Sequence, residues 1–242
     1  MLRYNEITML HFFKDLYKKV KDEDFVVDKS GVKMAEIIAP KFELNPKQKI
    51  LNFNETRKTP EKYAEQELAW YDSQSLSIKG YVDNVKIWQQ VSSYKKEVNS
   101  NYGWCIYSPD NYSQYYNCLK ELIRNKDSRR AVMIYQRPSM WLDYNKDGMS
   151  DFICTDGSQL FIRNNNKGED TLIYIVKQRS MDMIYGFFND FYWHGIVYER
   201  MLKDLKKTYP NLNNGKIIYV PFSAHVYEKH FSMLKEIVNC EK

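Results

Sequence analysis

Cys154 is the residue of this 242-residue chain whose surroundings in sequence most suggest a nucleophile. Two apolar, alternating runs, 158–163 and 172–177, flank the turn-forming stretch NNNKGED at 164–170, which reads as a β-hairpin centred near Lys167. Antiparallel pairing about that centre places Cys154 opposite Ser180, with Arg179 beside it. A guanidinium and a hydroxyl next to a thiol favour the thiolate, the form that attacks. The alternative is a cysteine used only for packing.

Other side chains offer complementary chemistry. In the stretch that opens at Pro60, Ala64, Leu68 and Tyr71 form an apolar stripe, and Glu67 falls inside it. Burial of that carboxyl would raise its pKa toward general acid–base use. His225 and Tyr227 alternate along a strand-like run and therefore share a face, where two polar rings could hold a sugar hydroxyl or simply satisfy each other. Ser128–Arg129–Arg130 lies between a helix and a strand, so its paired guanidinium groups could grip a phosphate or complement a helix C-terminus. Asp190 stands before a long helix, where an N-cap is the default role. Two patterns lead nowhere. Asp143–x–Asn145–x–Asp147–Gly148 opens like a calcium loop, but Cys154 occupies the position of the required bidentate Glu. The spacing of His225 and His230 suits neither one helix face nor one strand face, so no metal is expected. No phosphate-cradling glycine motif occurs.

The elements that must position these groups follow from periodicity. Helices are predicted over the opening segment to about residue 21, over 61–72, over 108–123 and over 190–207. Strands are predicted over 34–38, 131–135, 158–163, 172–177 and 216–220, with turns at 28–31 and 143–148. Helices and strands mixed along the whole length, with no repeat or long linker, indicate a single α/β (α+β) domain over 1–242. No apolar run reaches the roughly 18 residues of a membrane span, and the start lacks the form of a signal peptide. Four Cys do not make a disulfide scaffold and suit a reducing cytoplasm. Lys and Arg number 36 against 31 Asp and Glu, and the resulting charge of +5 is scattered, which fits a small anionic ligand better than direct binding of nucleic acid.

Taken in order, Glu67–Leu68–x–Trp70, Ile87–Trp88, Tyr102–Gly103, Ser128–Arg129–Arg130, Cys154 with Gln159, Gln178–Arg179–Ser180–x–Asp182 leading to Gly186, and His225–x–Tyr227 resemble the thymidylate synthase family. The likeness runs from about residue 24 to 231 and is greatest to the phage-type deoxycytidylate hydroxymethylase branch, through DFVVDKSGVK, IWQQVSSYKKEVNSNYGW, DYNKDGMSDFICT and the FNDF segment. Residues 238–242 give no match to the segment that closes over folate in synthases.

The resemblance implies a mixed sheet with flanking helices, packed at a homodimer interface. It implies Cys154 as the nucleophile adding to the pyrimidine ring, Glu67 as organiser of water and protons, and Asp190 as selector of cytosine where uracil-specific synthases carry Asn. Arg179, Ser180 and Lys29, with Arg129 and Arg130 reaching from the second subunit, would bind phosphate; Lys29 replaces an Arg and loses its bidentate fork. His225 and Tyr227 would hold the 3′-hydroxyl, Gln159 and Tyr102 would line the nucleotide, and Trp88, Asp182 and Gly186 would face 5,10-methylenetetrahydrofolate. Phe152–Ile153 before the nucleophile and Thr155 after it depart from the Pro-Pro and His of synthases. The expected activity is hydroxymethyl transfer to dCMP in the cytoplasm of an infected cell, within a possible nucleotide-synthesising complex. The alternatives are methyl transfer to dCMP or dUMP, or a non-catalytic nucleotide-binding subunit.

Overall fold

The structure is a computed structural model that describes residues 2–55 and 57–240; Met1, Thr56, Glu241 and Lys242 lie outside the described residues. The chain runs α1 (Tyr4–Lys21), β1 (Val26–Val27), β2 (Lys33–Ile38), β3 (Phe42–Leu44), α2 (Glu61–Ser73), α3 (Lys86–Val91), α4 (Tyr102–Tyr107), α5 (Gln114–Arg124), β4 (Val132–Ile134), α6 (Met140–Asp143), β5 (Thr155–Asn164), β6 (Asp170–Gln178), β7 (Met181–Asp182), α7 (Gly186–Leu205), β8 (Asn213–Pro221), β9 (Ser223–Tyr227) and α8 (Phe231–Val238). Two mixed sheets result. One has the order β1-β2-β9-β7 and the other β3-β8-β6-β5-β4.

The central helix α7 carries Phe187, Phe188, Phe191, Val197, Tyr198, Met201 and Leu205 into the core at helical spacing. Phe191 packs near Phe187 and Tyr219, with centroids 5.9 and 6.2 Å away, so the high aromatic content is spent on the interior. Truncating fully buried Phe191 to Ala would cost roughly 3–5 kcal/mol through lost burial and the cavity left behind. Helix α1 buries Met9, Leu10, Phe13 and Leu16, and its first turn is closed by the Arg3 N–H donating to Glu6 Oε2 at 2.7 Å.

The β5–β6 hairpin pairs Asn164 with Asp170 and holds the expected register as far as Gly157↔Lys177. A bulge at Asp156 then shifts the pairing to Thr155↔Gln178, so Arg179, not Ser180, comes opposite Cys154, its N–H donating to the Cys154 carbonyl at 2.9 Å. Gly157 permits the close approach of β4 there, since a Cβ would sit 2.8 Å from the Met133 carbonyl oxygen.

Two helices depart from the periodicity. The helix expected over 108–123 is broken, because Tyr112 and Ser113 take positive φ between a short 3₁₀ turn and α5. Helix α7 starts at Gly186, four residues earlier than expected, so Asp190 is no N-cap but lies inside the helix. The turn at Asp147 and Gly148 forms as expected, and the Asp147 carboxylate takes the Tyr94 hydroxyl and the Lys95 ammonium.

Candidate active site

The segment entering Cys154 is fixed from both sides. Buried Asp151 accepts the N–H groups of Asn99 and Ser100 and the Ser100 hydroxyl, all at 2.7 Å. The Ile153 carbonyl accepts from Gln136 Nε2 at 2.8 Å and Arg179 Nε at 3.0 Å, and Arg179 Nη2 donates to the Phe152 carbonyl at 2.7 Å. These bonds leave Arg179 Nη2 3.7 Å from the Cys154 sulfur, with the guanidinium 4.9 Å from the centre of the Phe152 ring. The expected help from Arg179 is real but outweighed. Burial pushes the Cys154 thiol up to about 11 despite the guanidinium, and Asp190, Asp151 and Asp156 add to the rise. The resting sulfur is therefore a thiol, and a nucleophilic role would require its proton to move first. Cys105 and Cys118, by contrast, are buried packing residues.

Asp190 joins this group from α7. Gln178, on β6, donates from Nε2 to Asp190 Oδ2 at 2.6 Å and to Thr155 Oγ1 at 3.1 Å. The Thr155 hydroxyl in turn donates to the Tyr102 hydroxyl at 3.0 Å. Tyr102 is placed by the close contact of α4 with α2; a Cβ on Gly103 would overlap the Tyr71 carbonyl, so the residue after Tyr102 must be glycine. Burial raises the Asp190 carboxyl to about 7, opposed by the Gln178 bond and reinforced by Asp182. Near neutral pH this side chain can present one O–H donor and one acceptor.

Glu67 approaches from α2. It is buried as the apolar stripe implied, and Tyr63, one turn earlier, donates to its Oε1 at 2.6 Å. The Trp88 indole N–H donates to the Tyr63 oxygen at 2.8 Å, and its ring lies 5.0 Å from Trp70. Burial raises Glu67 to about 7; the Tyr63 bond lowers it and the Asp190 charge raises it. Two interacting carboxyls thus stand poised near neutrality, and one of them, Asp190, also acts on the Cys154 thiol.

The four-stranded sheet supplies the remaining wall. His225 and Tyr227 do share a face, with ring centroids 4.9 Å apart. Burial raises the Tyr227 pKa, and the charges of Asp182, Asp28 and Cys154 add to it, so these groups are close enough to interact. Asp182 pairs with His225 across β7 and β9, and its Oδ1 accepts the Ile184 N–H at 2.9 Å just ahead of Gly186, the first residue of α7. Ser180 is half-buried directly after Arg179. The structure does not bring four expected residues into this cluster. Lys29 is exposed in the β1–β2 turn; Arg129 and Arg130 are exposed before β4; Gln159 lies on the outer face of the five-stranded sheet, its Nε2 donating to the Arg129 carbonyl at 2.8 Å. That outer face also carries exposed Val132 and Ile134 and half-buried Phe161, Ile173 and Ile175.

The thymidylate synthase family model matches residues 11–242. This chain belongs to the thymidylate synthase family. Among its relatives are the proteins named deoxycytidylate 5-hydroxymethyltransferase of enterobacteria phages T6, T4 and T2, each 45% identical over 218 residues, covering 89% of this chain and 84% of the relative.

Within this member of the thymidylate synthase family, three side chains matter that sequence reasoning gave no role. Gln178 connects Asp190 to Thr155, and its own Oε1 is buried without a partner. Tyr63 controls one oxygen of Glu67, a link that its i, i+4 spacing could have suggested. Arg57 stacks 3.6 Å over the Phe188 ring near Tyr185, with Nε and Nη2 buried and unpartnered, and Asp182 is the first charge that supports its protonation. Arg57 sits in an irregular segment, where periodicity carries no signal. Among the described residues no group of three or more His, Cys, Asp or Glu side chains could hold a metal ion, and no helix is long and apolar enough to cross a membrane.

Proposed function

We propose that the chain is a deoxycytidylate 5-hydroxymethyltransferase, converting dCMP, 5,10-methylenetetrahydrofolate and water to 5-hydroxymethyl-dCMP and tetrahydrofolate. The observation that carries this reading is Asp190, a carboxyl raised to about 7 in the neighbourhood of Cys154 and held by Gln178. Cytosine offers a ring nitrogen that accepts and an amine that donates; uracil offers the reverse. A singly protonated carboxyl meets both cytosine groups, giving its proton to the ring nitrogen and accepting from the amine. The relatives named above support the same substrate.

The Cys154 thiol gives up its proton to a neighbouring carboxylate as its sulfur adds to carbon 6, and Asp190 protonates ring nitrogen 3, neutralising the charge growing on the ring. Carbon 5 thereby becomes nucleophilic and takes the one-carbon unit that methylenetetrahydrofolate supplies as a cosubstrate. Loss of the carbon 5 proton and departure of the folate leave an exocyclic methylene. Glu67 then orients and deprotonates a water that adds there, and expulsion of the Cys154 sulfur restores the aromatic ring. Tyr102 holds Thr155 and the nucleotide edge, His225 and Tyr227 take the 3′-hydroxyl, and Arg179 and Ser180 take the phosphate. Trp88, Asp182 and Gly186 form the folate wall, and no metal takes part. Trp88 is half-buried beside Glu67's partner Tyr63, as a ring for stacking the pterin should be.

The catalytic unit is one domain over 1–242 working as a homodimer. The apolar outer face of the five-stranded sheet supports that assembly, and Arg129 and Arg130, exposed just before β4, cross to the partner site. Substrates are dCMP and folate, with no direct contact to nucleic acid; the setting is the cytoplasm of a phage-infected cell, in a possible nucleotide-synthesis complex. Mass analysis of the product from dCMP, dUMP and CMP, with methylenetetrahydrofolate supplied, tests the assignment. A gain of CH2O on dCMP with tetrahydrofolate formation is expected. Stoichiometric dihydrofolate with a methylated product, or turnover of dUMP alone, would overturn it.

A further inference from the structure

Three residues with titratable side chains stand side by side across the four-stranded sheet: Glu36 on β2, His225 on β9 and Asp182 on β7 are register partners. Ser223, two residues before His225 and so on the same face, fills the space between Glu36 and His225. Its hydroxyl donates to Glu36 Oε1, and the same oxygen lies 3.1 Å from His225 Nδ1.

A hydroxyl has one hydrogen to give. Once it is committed to the carboxylate, the Ser223 oxygen can only accept from the ring, so Nδ1 must carry the hydrogen. Burial pushes His225 below its ordinary pKa; Asp182, Glu36 and the Ser223 main chain oppose that shift without reversing it. The imidazole is therefore neutral at pH 7, and a neutral ring protonated on Nδ1 leaves a bare lone pair on Nε2. Asp182 does not compete for the ring through Oδ1, which takes the Ile184 and Tyr185 N–H groups at 2.9 and 3.4 Å.

We infer that Glu36 and Ser223 are positioning residues that lock His225 in the Nδ1–H form, so that Nε2 is an obligate acceptor. The site thereby admits a sugar hydroxyl that donates and discriminates against a ligand presenting only an acceptor or nothing at that position. This rests on the reading that His225 meets the 3′-hydroxyl of the nucleotide.

The test has two arms. Long-range 1H–15N correlation spectra of the labelled full chain, with His225 assigned by its loss in His225→Gln, should show Nδ1 protonated and Nε2 bare at pH 7.5. In Ser223→Ala the ring should move toward the opposite tautomer, and Ser223→Thr should restore it. In the kinetic arm, Ser223→Ala should raise KM for dCMP about five- to tenfold, the loss of one modest hydrogen bond, with kcat changed less than about twofold. The KM for 2′,3′-dideoxycytidine monophosphate, which has no 3′-hydroxyl, should not move, and Ser223→Thr should recover dCMP binding. A wild-type ring protonated on Nε2, or equal KM increases for both nucleotides, would overturn the inference. The spectral arm needs no turnover: the Nδ1–H form in a chain that does not hydroxymethylate dCMP upholds the inference and rejects the proposed function instead.

Discussion

Exchanging Asp190 for Asn should change substrate choice and pH-dependent stability together. Burial raises this carboxyl from 3.8 to about 7, with Asp182 adding to the rise and Gln178 opposing it. The folded state thus holds a proton that the unfolded chain has already released between those two values. Stability from this group is therefore highest below 3.8, falls as pH climbs toward 7, and is level above that. At about 1.4 kcal/mol per pH unit, the interval from pH 5 to 7 removes roughly 3 kcal/mol. Asn has no proton to lose, so Asp190→Asn should flatten that part of the profile; loss of the Asp190 charge also lowers Glu67, which flattens the profile further in the same direction. The Asn amide also inverts the hydrogen-bond pattern offered to the base. Two mispaired buried groups at about 1–3 kcal/mol each predict a shift of roughly 30- to 10⁴-fold in kcat/KM for dCMP relative to dUMP. Urea unfolding midpoints at pH 5 and 8, and tritium release from 5-tritiated dCMP and dUMP, measure the two effects. An unchanged nucleotide ratio refutes the base-pairing argument, and an unchanged pH slope refutes the electrostatic one.

Cys154→Ser should reduce tritium release from 5-tritiated dCMP by at least about 10³-fold, because a hydroxyl is a much weaker nucleophile, while dCMP binding measured by calorimetry persists. Normal turnover of that variant would return the non-catalytic reading to favour. Arg129→Ala and Cys154→Ser proteins, each inactive alone, should regain up to about a quarter of wild-type activity when unfolded and refolded together, since random pairing completes one site per mixed dimer. No recovery would mean that Arg129 serves its own subunit. Gln178→Ala should lower kcat/KM for dCMP about tenfold or more by releasing Asp190, and its far-UV circular dichroism should match the wild type.

Much of the fold could be read from periodicity because the core is built on it. The β5–β6 hairpin has a turn signal and alternating flanks, so its register was recoverable to Gly157. The bulge at Asp156 was not, because a one-residue insertion leaves no mark on composition and depends on how β4 packs against Gly157. Helix α2 exposed Glu67 as the polar member of an apolar stripe, and the structure keeps it buried. Helices α3 and α4 were missed, being six residues each and held by tertiary contacts such as Trp88 to Tyr63 and Gly103 against Tyr71. The N-cap expected at Asp190 failed for a related reason: Asp182 already takes the Ile184 N–H ahead of the helix, and aromatic burial from Phe187 onward extends α7 backward. The direction of the Cys154 shift could not be read at all. Arg179 was visible beside it in sequence, whereas the burial that outweighs Arg179 is a property of the assembled fold.

In the proposed reaction, the choice between adding water and adding hydride rests on what Glu67 does with a water, and Tyr63 is expected to set that capacity. Its hydroxyl donates to Glu67 Oε1 at 2.6 Å while accepting from the Trp88 indole at 2.8 Å. The bond stabilises the ionised carboxylate against the burial that otherwise drives Glu67 upward. Tyr63→Phe removes this support without removing the carboxylate. Glu67 should then titrate roughly one unit above its present value of about 7, as the loss of a charge-assisted bond worth about 1.5–3 kcal/mol requires once relaxation is allowed for. At pH 7 a smaller fraction of Glu67 would be ionised, so hydroxymethylation should slow several-fold; at pH 9 the rate should return close to wild type. Tritium exchange and product formation, followed separately across pH 6–9, should lose step at neutral pH, with exchange outrunning product because water addition is the step Glu67 serves. An alkaline profile identical to wild type, or equal slowing of both readouts at every pH, would show that Tyr63 only fills space and that the water is activated elsewhere.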